Sequence, residues 1–288
     1  MDSWGALDDV LYNGLQSLES TECQQTTSAG KVSSRKPRPI TGEVSEFCVS
    51  THRTGGMKVT SFSHNLEEII HEKGLLSHPF YKDWTAGTLT IDQLREYAKQ
   101  YYQFESAFPT FLSGIHARCP SLPVRQLILD NLWDEEHGED NHPALWLRFC
   151  EALGLSPSEV KSATLLPETQ ALLDTFRVTS TSLPYEEGIA ALFAYEVQAP
   201  QIAEQKIEGL NRYYGITEEG PLAFFTTHMT ADVEHSDAER QIIDDYATTS
   251  EHQQSLDSVV RQARDALWLF LDGVYRLGKQ TSDVYAQS

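Results

Sequence analysis

Cysteine, basic residues and long apolar runs are all scarce in this 288-residue chain. The four cysteines, Cys23, Cys48, Cys119 and Cys150, show no CxxC or paired spacing, which argues against a disulfide framework or a sulfur-ligated zinc site. Cys119 and Cys150 flank helix-like runs and are expected to be small core residues. Lysine and arginine number 22 against 42 acidic residues, a formal charge of −20. That balance excludes nucleic acid and anionic membrane surfaces as main partners, since both reward clustered positive charge. No apolar run approaches the roughly 20 residues of a membrane span. The N-terminus lacks the basic-then-apolar layout of a secretory signal, so the cytoplasm is the expected compartment. Strand-like alternation and repeats of fixed period are also missing.

What is present divides the chain in two. Residues 1–56 include "TTSAGKVSSRKPRPITGEVS", rich in Ser, Thr, Gly, Pro and basic residues and without a sustained apolar period. They are expected to be a disordered, dispensable extension. Acids at Asp2, Asp8, Asp9, Glu19 and Glu22 argue against an organellar transit peptide. The folded domain is expected over 57–288, where one helical pattern follows another. "TIDQLREYAKQYYQFESAF" opens on a Thr90 cap and runs to Pro109, and "SPSEV" carries a serine cap with an acid three residues on. "PYEEGIAALFAYEVQAPQIAEQKIEGLNRYYG" reads as one long helix. The pattern predicts an all-α bundle of seven to nine helices.

Three segments put acids and imidazoles where apolar residues would be expected. In "THMTADVEHSDAER", His228, Asp232 and His235 stand at offsets of four and seven and share one helical stripe. Glu196 in "AALFAYEVQAP" is a lone acid in the most apolar run of the chain, and a carboxylate buried there requires a counter-charge. In "DNLWDEEHGEDNH", Glu135 and His142 are two turns apart if the helix continues, while Glu139 and His142 have the Glu-x-x-His spacing of ferritin-like bundles. The spacing leaves both acids open. Glu136, Asp140 and Glu234 read as solvated surface, and Glu68-x-x-His71 lacks partners. Three carboxylates and three imidazoles on separate helices suit a binuclear iron or manganese site: carboxylates neutralise and bridge two cations, and imidazoles fill the remaining positions.

"HPFYKDWTAGTLTIDQLREYAKQYY", "AFPTFLSGIHARC", "LILDNLWDEEHGEDNH", "AALFAYEVQAPQIAEQKIEGL" and "FFTTHMTADVEH" together resemble the family of Chlamydia protein associating with death domains. The resemblance runs over residues 64–278 and implies a haem-oxygenase-like helical fold holding two metal ions instead of haem. It places the ligands on Glu135, His142, Glu196, His228, Asp232 and His235, choosing Glu135 over Glu139. It also implies p-aminobenzoate synthesis for folate, with the ring taken from Tyr81 of the chain itself and the amino group from Lys206. The expected cofactors are then Fe/Fe or Mn/Fe, with O2 and an external reductant as co-substrates and an unidentified electron donor as partner. A homodimer is expected. Tyr97, Tyr101, Tyr102 and Tyr195 are further candidates for radical transfer or pocket lining.

Three rival readings remain. The same metal site could oxidise a free small molecule. The bundle could be a non-enzymatic helical interaction protein. A TenA-like thiamine-salvage hydrolase would need a pocket cysteine, and neither Cys119 nor Cys150 has a base at a telling spacing.

Overall fold

A computed structural model of the protein describes residues 61–286, with side chains through residue 277. The expectation for residues 1–56 lies outside the described residues. Those described contain eleven α-helices and no strand. Helices α1 (Phe62–Glu72) and α2 (Pro79–Ala86) are joined by a 3-10 turn over Leu75–Ser77. Next come α3 (Ile91–Arg118), α4 (Leu122–Glu136), α5 (His142–Ala152) and the short α6 (Pro157–Lys161). The remainder is α7 (Pro167–Ser182), α8 (Tyr185–Glu196), α9 (Ala199–Tyr213), α10 (Glu219–Tyr246) and α11 (Ser250–Ala286). The count exceeds seven to nine because short α2 and α6 form as separate helices and the expected long 185–213 helix is broken.

The starts follow local chemistry. Thr90 opens α3 with a reciprocal capping box to Gln93, and Ser156 does the same for α6 with Glu159. Six helices carry proline in their first turn, where its missing N–H costs nothing.

Pro109 and Pro200 behave differently from each other. Helix α3 runs through Pro109, where the sequence suggested a stop. An interior proline costs about 3 kcal/mol, but Phe104, Phe108 and Phe111 at that turn pack ring to ring and against Phe176. Each such side chain contributes roughly 1.5–3 kcal/mol on burial, so packing outweighs the lost bond. Pro200 instead accompanies a break at Val197 and Gln198, between α8 and α9. The Gln198 side chain fixes the junction by donating to the Ala194 carbonyl at 2.8 Å and accepting from the Leu75 N–H at 2.9 Å.

The core is aromatic and continuous from Phe80 and Trp84 through Tyr97, Trp146 and Phe225 to Phe270. Helix α10 packs against α5, α8 and α9, and α3 packs against α4, α5 and α7. These helices surround the buried polar groups described next. None of the described helices is long and apolar enough to cross a membrane.

Candidate metal centre

Helix α10 carries His228, Asp232 and His235 on one face, all buried. Glu239 continues the stripe one turn further and is buried too. The Glu135–His142 pair does not arise from a continuous helix. Helix α4 ends at Glu136, and Gly138 turns the chain at φ 83° before Asn141 caps α5. His142 therefore approaches from a separate helix, and its Nδ1 lies 2.8 Å from Glu135 Oε2. Glu139 sits exposed in the intervening turn. The structure thus separates the two acids that spacing left open, burying Glu135 and turning Glu139 to solvent.

Two groups of donors converge. Glu196, Asp232 and His235 each offer an atom within 4.8 Å of the others, and Glu105, His142 and His228 do the same. Glu135 touches His142 of one group, and after burial itself the largest influence on its carboxyl is the charge of Glu196 in the other. All six sequence-predicted residues therefore meet in one buried region. Glu105 was missed. Its signal is legible in retrospect: "FESAFP" around Glu105 matches "YEVQAP" around Glu196, an aromatic-Glu-x-x-x-Pro pattern. In both, the proline withdraws the donor that the glutamate's own carbonyl would use in the helix.

The unsatisfied atoms test whether these residues fit metal. Among the described residues, Glu105 Oε1, Glu135 Oε2, His142 Nδ1, Glu196 Oε2, Asp232 Oδ2 and His235 Nδ1 are buried without a hydrogen-bond partner. Each such atom costs about 1–3 kcal/mol if it stays unpaired. His142 Nδ1 and Glu135 Oε2 are close in distance but not aligned as a hydrogen bond, as two donors aimed at a common third atom would be. The opposite edges are occupied by orienting contacts. His228 Nδ1 faces the Phe224 carbonyl at 2.8 Å, which leaves Nε2 as the free lone pair. His235 Nε2 faces Asp134 at 3.2 Å, which leaves Nδ1. Asn131 donates to Glu196 Oε1 at 3.0 Å, which leaves Oε2. Such partners are what aims metal ligands.

The electrostatics agree. Burial, reinforced by neighbouring carboxylates, holds Glu105 and Glu135 well above the usual carboxylate range, and burial raises Asp232 likewise. Burial lowers His142 and His228, favouring neutral imidazoles. Burial also acts to lower His235, but Asp232, Glu196 and Asp134 around it raise it to about 9. Divalent cations invert this crowding, because they hold carboxylates ionised and take the imidazole lone pairs. The residues fit a two-metal centre.

Beside the centre, Tyr81 from α2 and Lys206 from α9 lie in the aromatic core. Lys206 is buried and its Nζ donates to the Tyr97 hydroxyl at 2.6 Å. The same Nζ stands 5.6 Å from the Tyr81 ring centre and 5.0 Å from those of Tyr97 and Tyr101. The Tyr81 and Tyr97 hydroxyls are 3.5 Å apart, and the Tyr101 and Tyr195 hydroxyls are hydrogen-bonded. Burial lowers Lys206 to about 7, and it has no ion pair among the described residues. A cavity of about 30 Å³ is lined by Tyr81, Tyr97, Tyr101, Tyr195, Lys206 and His228. It joins the lysine to the metal donors. Tyr102 is buried but does not line it.

A second cavity of about 180 Å³ lies on the other side of His235, against Asn131, Asp134 and Glu239. Cys119 and Cys150 are buried free thiols, as expected of core residues, and line neither cavity.

Residues 95–270 match the family model of iron-containing redox enzymes. The chain is 45% identical over 228 residues to the 4-aminobenzoate synthase of Nitrosomonas europaea, covering 76% of this chain and 93% of that one. It is 40% identical over 219 residues to the 4-aminobenzoate synthase of Chlamydia muridarum, covering 75% and 92%. Among solved structures, a TenA homologue from Pseudomonas syringae matches with a TM-score of 0.66 at 17% identity, over 79% of this chain and 100% of that one. That similarity shows the fold alone. The reading as a non-enzymatic interaction protein does not survive these matches: the chain belongs to the family of iron-containing redox enzymes built on the haem-oxygenase-like fold.

Proposed function

We propose that the chain makes 4-aminobenzoate, taking the ring from Tyr81 and the amino nitrogen from Lys206. Two metal ions, as two irons or one manganese and one iron, would be held by the grouped carboxylates and imidazoles. Both metals accept nitrogen and oxygen donors. When bound they supply one-electron oxidation, fed by O2 and an external reductant.

The observation that carries the reading is the position of Lys206. An amine lowered to about 7 is substantially unprotonated at neutral pH and therefore nucleophilic. It is fixed against three tyrosine rings beside the donor set. Tyrosine already has the para substitution of the product, with oxygen at one end of the ring and Cβ at the other. The Tyr97 hydroxyl, between Lys206 Nζ and the Tyr81 hydroxyl, gives a short path for a proton between them. A cavity of about 30 Å³ holds about one water, whereas an aromatic guest calls for on the order of 150 Å³. The ring next to the lysine is then one the chain provides. A protein that gives up its own side chain acts once.

The 180 Å³ cavity favours one second reading, a free small-molecule substrate oxidised beside His235. No tyrosine or lysine lines that cavity, so the two readings separate cleanly. Protein grown with ring-labelled tyrosine should release labelled 4-aminobenzoate at no more than one molecule per chain, and the spent chain should have lost mass at residue 81. Unlabelled product over many turnovers would establish the free-substrate reading. Mass loss at Tyr97 would reassign the ring. Tyr81→Phe retains the packing volume and should retain both metals and O2 consumption while making no product.

A further inference from the structure

We propose that Glu105 is a seventh donor of the metal centre, completing the metal position formed by His142 and His228. The inference rests on the two-metal reading above and adds to the ligand set a residue from a fifth helix, α3.

Four observations converge on it. Glu105 is 2% exposed, so its carboxylate cannot be satisfied by bulk water. Its Oε1 is buried without a hydrogen-bond partner among the described residues. An oxygen of the same carboxylate lies within 4.8 Å of ligand atoms of both His142 and His228. Finally, with Glu105 included each group has three donors, among them one glutamate four residues before a helix proline. Without Glu105, the His142/His228 position holds two imidazoles and a share of Glu135, fewer carboxylate oxygens than its neighbour. The grouped carboxylates with Glu135 number four, matching two divalent cations, and removing Glu105 leaves a buried positive charge without a partner.

A purely structural role would be to steady Tyr101, one turn back on α3. Glu105→Gln separates the two roles, because the amide retains size and hydrogen bonding but is a poor metal ligand. Wild-type chain loaded anaerobically with Fe(II) or Mn(II) should bind two ions. Glu105→Gln should bind one tightly, with the other weakened by at least about tenfold, and His228→Ala should reproduce that defect. Elemental analysis, metal titration and the electron paramagnetic resonance of the coupled pair report this without any assay of product. Two ions at wild-type affinity in Glu105→Gln would overturn the proposal and leave the two-metal reading intact. No metal in wild type would remove that reading and the proposal with it. If Glu105→Gln does not fold, a crystal of the Mn-loaded wild type decides. A Glu105 oxygen within direct bonding distance of the metal, about 2.4 Å or less, supports the assignment, and a separation clearly beyond it refutes it.

Discussion

Replacing Lys206 with methionine should abolish product and make the protein more stable. The side chain is 3% exposed and surrounded by rings, and burial brings its amine from the ordinary 10.5 to about 7. In the unfolded chain it titrates near 10.5, so between pH 7 and 10.5 the unfolded state binds the extra proton. Stability therefore rises with pH across that window. The cost of burying the lysine is complete below about pH 7, where the interval corresponds to about 5 kcal/mol. It falls to about 4 kcal/mol at pH 7, about 2 at pH 9 and nearly nothing at pH 11. Methionine fills a similar volume but leaves the Tyr97 hydroxyl without its 2.6 Å partner, a loss of about 1 kcal/mol. The net gain should be about 3 kcal/mol at pH 7 and about 1 at pH 9, reversing to about −1 at pH 11. Urea denaturation of metal-free protein at these pH values measures it. A methionine variant less stable than wild type at pH 7, or a difference that does not change with pH, would refute a neutral, desolvated lysine. It would remove the physical basis for its nucleophilic role.

Three further outcomes are expected. Alanine at His228, Asp232, His235 or Glu135 should lower metal content, whereas Glu139→Ala, in an exposed turn, should leave it unchanged by elemental analysis. Removing metal with a chelator should lower the melting temperature, and readdition at about 100 times the dissociation constant should restore about 2.7 kcal/mol for each site filled; an unchanged melting curve would argue against a buried centre. Gly209→Ala places a Cβ 2.6 Å from Trp84 Cδ1, forcing α9 from α2 by close to an ångström. Product yield should fall by up to about a hundredfold with metal content unaffected, and a wild-type yield would show that the Lys206–Tyr81 spacing is not limiting.

The α10 stripe was legible because helical geometry is strict: offsets of four and seven align side chains whatever the tertiary context. Glu196 was legible because a carboxylate in an apolar run requires a partner. Glu135 was not decided by spacing, since a helix that ended at Glu136 and restarted at His142 made the in-line argument inapplicable. Only the turn at Gly138 shows why Glu139 faces water. Glu105 was hidden by its company, for one acid among Tyr101, Phe104 and Phe108 on α3 reads as part of an ordinary amphipathic helix. The break before Pro200 escaped periodicity because both sides continue the same apolar pattern.

Lys206 shows where sequence spacing stops being informative. Ten residues beyond Glu196 along a single helix, it would lie about 15 Å from that carboxylate. The break at Val197 and Gln198 places it on a new helix whose position is set by other contacts. Trp84 donates to the Lys206 carbonyl at 3.3 Å, and Gly209, with no Cβ, lets α9 close on the same indole. Trp84 lies one turn from Tyr81 on α2, so one side chain fixes the distance between the lysine and the tyrosine. The proposed metal donors sit on α3, α4, α5, α8 and α10, and Tyr81 and Lys206, the side chains proposed to react, sit on α2 and α9. On the proposed reading, metal binding and ring chemistry rest on different helices, which come together along the α9–α10 packing and around the tyrosine-lined cavity. For that reason variants at Lys206, Tyr81 and Gly209 can fail to make product while still filling the centre.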